Sequence, residues 1–172
     1  MFVTIGFVIV AAVALYYKNA QSSASSVGSG PVALAGTFAP SFPVSRLDGG
    51  WEELRHYRGK VVLINLWASW CPPCRAEMPD LQRLATRYRT KGVIVLGVDQ
   101  GESARNAGAF AHSLGITFPI LLDEEQRYGR EFSALGLPTT IIVKPNGVIA
   151  LGIDGALTYG QMQEAIVPLL GR

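Results

Sequence analysis

Apolar and polar residues alternate along this chain with a changing period, and the period predicts strands and helices in turn. Two largely apolar runs, 61–67, whose one polar residue is Asn65, and 93–98, predict strands buried on both faces, as in the parallel part of a sheet. The segment between them has apolar residues at three- and four-residue spacing, which predicts a helix over 73–90. The other predicted elements are strands at 42–47, 118–122, 141–143 and 148–153, and helices at 51–57, 107–114, 126–132 and 162–169.

The order of these elements predicts the fold class. Strands that alternate with helices, followed by a hairpin and a last helix, favour an α/β fold with a central mixed β-sheet and helices on both faces. The hairpin turn is Pro145-Asn146-Gly147, and Thr158 with Gln161 forms the capping-box signature of the last helix. A length of 172 residues suits one such domain with an extension.

The first 36 residues have a different composition from the rest. Residues 2–17 carry no charged side chain, and a helix over them would rise about 24 Å, slightly less than a hydrocarbon core of about 30 Å. Lys18 could make up the difference by snorkelling. We therefore predict a transmembrane anchor over 1–18, a flexible Ser/Gly/Ala linker over 19–36 and a folded domain over 37–172. A cleaved signal peptide and a buried core helix are the alternatives.

Charge says little about orientation or about partners. The terminal amine and Lys18 leave the positive-inside rule neutral, or slightly against export of the domain. The formal net charge is +2, and no basic cluster interleaved with aromatic residues is present, so we expect no nucleic-acid partner.

Both cysteines of the chain lie in one motif, Trp70-Cys-Pro-Pro-Cys74. They fall where a predicted strand ends and a helix begins, and free N–H groups and the macrodipole at a helix N-terminus favour an anion. C-x-x-C thiols in this setting have pKa values of roughly 3.5–7, against about 8.5 for a free cysteine. The motif therefore predicts a redox-active dithiol. A structural disulfide and half of a zinc site remain alternatives, although zinc would need His56 and His112, which are far away in sequence.

Motifs at 39–42, 59–67, 70–79 and 137–140 occur in an order that resembles the thioredoxin superfamily. Within it, the chain is similar to the membrane-anchored TlpA/ResA/CcmG (DsbE)-like thiol–disulfide oxidoreductases, over roughly residues 38–170. The resemblance implies a thioredoxin-like fold, with Cys71 as the exposed nucleophile and Cys74 as the buried resolving thiol. It also implies a cis proline at Pro138, which would present the Leu137 backbone to an extended substrate chain. The predicted substrate-binding residues are Trp70, Pro72, Pro73, Leu137, Pro138 and Thr139.

Asn65 departs from cytosolic thioredoxins, which carry a buried aspartate at the matching position. An asparagine does not exchange protons at neutral pH, so the proton must move through another group. Glu77 is the candidate, since it lies three residues after Cys74 on the same helical face and matches a glutamate of ResA-like proteins. A carboxylate there would raise the thiol pKa values. The alternative is an exposed glutamate that merely complements the helix dipole.

The resemblance implies an enzyme of the extracytoplasmic side, held in the cell membrane by a single anchor. Its substrates would be disulfides of exported proteins, such as the oxidised Cys-x-x-Cys-His motif of apocytochrome c, and its electron donor a membrane protein of the DsbD/CcdA kind. No cofactor or metal is expected. The alternatives are a general disulfide oxidoreductase unrelated to cytochrome c and a non-catalytic module that binds exported partners or copper(I) through both thiolates. A peroxidase of the related peroxiredoxin type is disfavoured, because no Pro-x-x-x-Thr-x-x-Cys pattern is present.

Overall fold

A computed structural model describes residues 34–171 of the chain. The predicted anchor at 1–18 and most of the predicted linker, up to residue 33, lie outside the described residues. Within residues 34–171, no helix has the length and apolar character needed to cross a bilayer.

The centre of the domain is a mixed sheet of seven strands in the order β2-β1-β5-β4-β3-β6-β7. The strands are β1 Val44–Arg46, β2 Trp51–Glu52, β3 Val61–Trp67, β4 Val93–Gln100, β5 Ile120–Asp123, β6 Thr139–Val143 and β7 Ile149–Asp154. β3, β4 and β5 are parallel, and the remaining pairs are antiparallel. All seven residues of β3 are buried, including its one polar residue, Asn65, as the largely apolar sequence of this strand predicts.

Helices cover both faces of this sheet. They are α1 Pro72–Tyr88, α2 Ala104–Ser113, α3 Arg127–Glu131 and α4 Tyr159–Ile166, with 3₁₀ turns at Leu54–Tyr57, Arg89–Lys91 and Val167–Leu169. α1 and α2 connect β3 to β4 and β4 to β5 in the same direction along the sheet, so right-handed crossovers place both on one face. α4 packs on that face through Met162, while Tyr128 of α3 packs on the opposite face with Phe42. The predicted fold class is thus confirmed.

One predicted element is wrong. Residues 51–57 do not form a single helix: Trp51–Glu52 pairs with β1, and only Leu54–Tyr57 turns as a 3₁₀ helix. Gly49 and Gly50 both have positive φ, which allows the tight turn that returns the chain beside β1. Glu52 is buried and Trp51 exposed, which is the alternation of a strand.

The remaining differences concern element ends. The first strand is shorter than predicted, whereas β4 runs on to Gln100 and β6 already begins at Thr139. α1 continues through Pro79, and the capping box of Thr158 and Gln161 is present at α4. Since β3 ends at Trp67 and α1 starts at Pro72, the four intervening residues form the loop that carries Cys71.

Candidate active site

The two cysteines form a disulfide at the N-terminus of α1. Cys71 is the N-cap residue, and its Sγ accepts a hydrogen bond from the Cys74 N–H at 3.3 Å. Pro72 occupies the first helical position, where no N–H is needed. A thiolate on Cys71 in the reduced protein would therefore meet an unsatisfied N–H group and the positive end of the helix dipole.

Cys71, but not Cys74, borders a groove of about 520 Å³ on the surface. Trp70, Pro72 and Pro73 line the groove on the same side as Cys71, and residues 134–137 and Arg130 also line it. Cys71 is only 3% exposed and Cys74 is 1% exposed. Cys71 is thus less exposed in the oxidised protein than the sequence resemblance implies, because its sulfur is bonded to the buried Cys74.

The predicted substrate-binding residues divide into two groups. Trp70, Pro72, Pro73 and Leu137 line the groove, and Trp70 is 66% exposed. Pro138 and Thr139 are buried and do not line it, because β6 begins there and Thr139 pairs with Asp154 of β7.

The peptide bond between Leu137 and Pro138 is cis, as the resemblance implies. The Pro138 carbonyl accepts a hydrogen bond from the Gly155 N–H at 2.8 Å. Within residues 34–171, neither the N–H nor the C=O of Leu137 has a hydrogen-bond partner. These two backbone groups of Leu137, at the edge of the groove, are therefore free to pair with another chain.

Glu77 is buried, with 3% of its surface exposed, so the alternative of an exposed dipole-complementing glutamate is wrong. Its Oε1 accepts a hydrogen bond from the Leu157 N–H at 3.0 Å, and its Oε2 accepts one from the Asn65 amide at 3.3 Å. Burial raises the pKa of Glu77 to about 7, although both hydrogen bonds act in the opposite direction. One turn after Cys74, the chain therefore holds a carboxyl group that can take up and release a proton near neutral pH.

Asn65 links this carboxyl group to β6. Its Nδ2 also donates to the Thr140 hydroxyl at 3.1 Å, while its Oδ1 is buried and has no partner among residues 34–171. Rotation of the amide by half a turn would bring Oδ1 to Glu77, where only a protonated carboxyl could donate to it. Asn65 can thus form a hydrogen bond with Glu77 in either of its protonation states.

The sequence reasoning did not identify a second carboxyl group close to the dithiol. Glu102 accepts hydrogen bonds from the Ser69 N–H at 2.5 Å and the Ser69 hydroxyl at 2.6 Å, two residues before Cys71. The fully buried Asp99 accepts from the Glu102 N–H at 2.9 Å, and its Oδ2 has no donor within the described part of the chain. Burial and the neighbouring Glu102 carboxyl group raise the pKa of Asp99 to about 7, although the hydrogen bond from the Glu102 N–H acts in the opposite direction. Burial also acts to raise the pKa of Glu102, but the hydrogen bonds from Ser69, together with Asp99, hold that pKa low. One available signal was that the carboxyl ends of parallel strands β3 and β4 meet at one edge.

The two histidines stay apart from the cysteines. His56 lies 2.8 Å from the carboxylate of Glu52 at the far end of the sheet order, and His112 lies in α2. Across residues 34–171, no three His, Cys, Asp or Glu side chains are grouped as metal ligands would be.

A protein-family model and a sequence relative both match most of this chain. The model of the AhpC/TSA family matches residues 35–151. Thiol-disulfide oxidoreductase ResA of Geobacillus thermodenitrificans is 39% identical over 129 residues, which cover 75% of this chain and 74% of the relative.

Solved structures agree with the sequence comparison. Thiol:disulfide interchange protein DsbE from Chlorobium tepidum superimposes with a TM-score of 0.75 at 27% identity, covering 80% of this chain and 98% of that protein. A secreted thiol-disulfide isomerase from Corynebacterium glutamicum gives a TM-score of 0.72 at 25% identity, covering 77% and 84%. This chain therefore belongs to the AhpC/TSA family, and it is a thiol–disulfide oxidoreductase with a thioredoxin-like fold.

Proposed function

We propose that this protein is a membrane-anchored, extracytoplasmic dithiol reductant of exported proteins, and that oxidised apocytochrome c is its substrate. The observation that carries the proposal is the groove, which places Cys71 beside the unpaired backbone of Leu137. An extended chain could pair with Leu137 while its disulfide meets Cys71. A disulfide between neighbouring cysteines, as in a Cys-x-x-Cys-His motif, lies in a chain segment short enough for this groove.

In the proposed reaction, the Cys71 thiolate attacks one sulfur of the substrate disulfide and the other sulfur leaves as a thiolate. Cys74 then attacks Cys71 in the mixed disulfide, which releases the second substrate thiolate and restores the Cys71–Cys74 disulfide. Glu77 takes the proton of Cys74 as that thiol becomes nucleophilic, which its pKa of about 7 allows. Two electrons pass to the substrate, and a membrane dithiol donor of the DsbD/CcdA kind would return them.

The electrostatics of the site support reduction over oxidation. A dithiol is a strong oxidant when the protein stabilises its reduced, ionised form. The Glu102 carboxylate, and Glu77 in its ionised form, place negative charge near the cysteines, which disfavours the thiolate and opposes the helix dipole. The disulfide form is then relatively favoured, so the dithiol gives up its electrons more readily.

The extracytoplasmic location and the anchor rest on the sequence of residues 1–18 and on the family. The similar protein of Corynebacterium glutamicum is described as secreted. In the proposed arrangement, the linker over 19–36 holds the domain close to the membrane surface. Expression of the full chain, followed by alkaline extraction of membranes and protease treatment of intact cells, checks both points.

Trapping with Cys74→Ala tests the activity. This variant, reduced and mixed with an oxidised Cys-x-x-Cys-His peptide, should accumulate a mixed disulfide on Cys71, because no resolving thiol remains. Cys71→Ala is the matched control and should trap far less peptide. Absence of trapped peptide on Cys74→Ala, with normal thiol reactivity, would reject the proposed substrate. Insulin reduction by the wild-type chain, with and without a chelator, separates turnover from stoichiometric copper binding.

A further inference from the structure

The loop that faces Cys71 across the groove is held from below by one carboxylate. Asp154, the last residue of β7, accepts a hydrogen bond from the Leu135 N–H at 3.1 Å through Oδ1. The same oxygen lies 2.5 Å from the Thr139 hydroxyl, which also lies 2.7 Å from the Gly136 carbonyl. Asp154 therefore binds residue 135 directly. The Thr139 hydroxyl has a single proton, which it shares between Asp154 and the Gly136 carbonyl, just before Leu137.

Other contacts hold the two ends of this loop. The Ala134 N–H binds the Gly129 carbonyl at 2.9 Å, the Gly155 N–H binds the Pro138 carbonyl, and β6 pairs with β7 from Thr139 onward. Residues 135 and 136 have no strand pairing, and Leu135 is 88% exposed. Without Asp154, the loop would stay attached at both ends, but the Leu135 N–H would lose its hydrogen bond.

A contribution to stability alone does not explain a buried aspartate at position 154. It is 8% exposed, and its Oδ2 is buried without a hydrogen-bond partner within residues 34–171. The described residues also place no Lys, Arg or His in ion-pair contact with it. A buried carboxyl group with half of its acceptor capacity unused contributes less to stability than a well-paired or apolar side chain would.

We propose that Asp154 is a positioning residue that holds the Leu137 backbone where it can pair with a polypeptide substrate. This inference rests on the proposed function, because it assumes that substrate reaches Cys71 as an extended chain. Asp154 does not touch the reacting sulfurs, so it acts on peptide disulfides and not on small disulfides that lack a backbone. The carboxylate thus contributes to the preference for polypeptide over small-molecule disulfides.

The test compares two disulfides on the reduced full chain. One is an oxidised Cys-x-x-Cys-His peptide, and the other is hydroxyethyl disulfide, which has no peptide backbone. Asp154→Ala removes both contacts of Oδ1, so the second-order rate with the peptide should fall about tenfold, as for one to two lost hydrogen bonds. The rate with hydroxyethyl disulfide should stay within about twofold, since Cys71 and α1 are unchanged. Asp154→Asn keeps an oxygen acceptor and should recover most of the peptide rate.

A second variant covers the case in which Asp154→Ala does not fold. Thr139→Val removes the hydroxyl that contacts both Asp154 and the Gly136 carbonyl while keeping the side-chain volume, and it should show the same selective loss to a smaller degree. Equal rates for wild type and variants with the peptide, or equal losses with both disulfides, would overturn the role of Asp154. A wild-type chain that reduces hydroxyethyl disulfide but not the peptide would instead reject the proposed function.

Discussion

The carboxyl group of Glu77 follows the dithiol along the chain, whereas the carboxyl pair of Asp99 and Glu102 binds Ser69, which precedes the dithiol. Neutral donors, an amide and a backbone N–H, hold Glu77, and burial is the main cause of its raised pKa. The Glu102 backbone N–H holds Asp99, and the Glu102 side chain is a second carboxyl group next to it, so the pair favours a proton on Asp99 and a charge on Glu102. Glu77 and Asp99 thus have similar pKa values, both about 7, but different neighbours.

The difference indicates separate tasks. Glu77 gains or loses a full charge near neutral pH and lies one turn after Cys74, so it can follow the protonation of the dithiol. Glu102 stays ionised and holds the N–H and hydroxyl of Ser69, while Asp99 carries the proton of the pair. We therefore expect Glu77 to control proton transfer, and Glu102 to hold the loop that carries Trp70 and Cys71.

The largest expected effect concerns stability against pH in the oxidised protein. The pKa of Glu77 is raised from 4.5 to about 7 in the folded chain, so between these values the unfolded carboxyl is ionised while the folded one keeps its proton. Rising pH therefore favours unfolding over this window, by on the order of 3 kcal/mol in total. Urea titrations of Glu77→Gln should show a smaller decline, because only the part due to the raised pKa of Asp99 remains, whereas the exposed Glu164→Gln should keep the full decline. A wild-type slope in the variant would show that Glu77 is not buried as a neutral acid.

The next effect concerns the Ser69 anchor. Glu102→Ala leaves the Ser69 N–H and the Ser69 hydroxyl without their acceptor, which should lower the free energy of unfolding by about 2 kcal/mol. Glu124→Ala removes the same charge from an exposed position and serves as the control. Chemical denaturation measures both. Equal stability of the two variants would mean that the Glu102 contacts are exchanged for water at no cost.

Thiol reactivity separates the two carboxyl sites directly. Glu77→Gln should lower the apparent pKa of the reduced dithiol by about one unit, equivalent to about 1.4 kcal/mol, because a negative neighbour is lost. Iodoacetamide labelling against pH, followed by peptide mapping, measures this shift and shows which cysteine reacts. We expect labelling at Cys71, since only this cysteine borders the groove. Preferential labelling of Cys74 would reverse the two cysteine roles.

The smallest effect isolates one hydrogen bond of the Ser69 anchor. Ser69→Ala removes the hydroxyl donor but keeps the N–H that binds Glu102, so it should lower the free energy of unfolding by about 1 kcal/mol. The labelling profile of Cys71 should shift less than in Glu77→Gln. A larger shift than that variant shows would make the loop anchor, and not Glu77, the main control of thiol ionisation.

The sequence by itself determined the order of elements, the dithiol at the start of α1 and the capping box of α4. These features depend on residues within about four positions of one another, where helix and strand periods and caps operate. The same local reasoning wrongly predicted a helix over 51–57, because it did not include the pairing of Trp51–Glu52 with β1. Glu77 was found from its helical spacing to Cys74, which is also a local relation.

Only the tertiary structure decided the environment of these groups. Glu77 is buried by contact with Leu157, eighty residues away in sequence, and Ser69 meets Glu102 across thirty-three residues. The Asp154 contacts join β7 to the loop before Pro138 across nineteen residues. Desolvation, and the pKa shifts that follow from it, depend on which distant segments exclude water from a group. Such contacts leave no periodic pattern in the neighbouring sequence, so they became visible only once the sheet had brought the segments together.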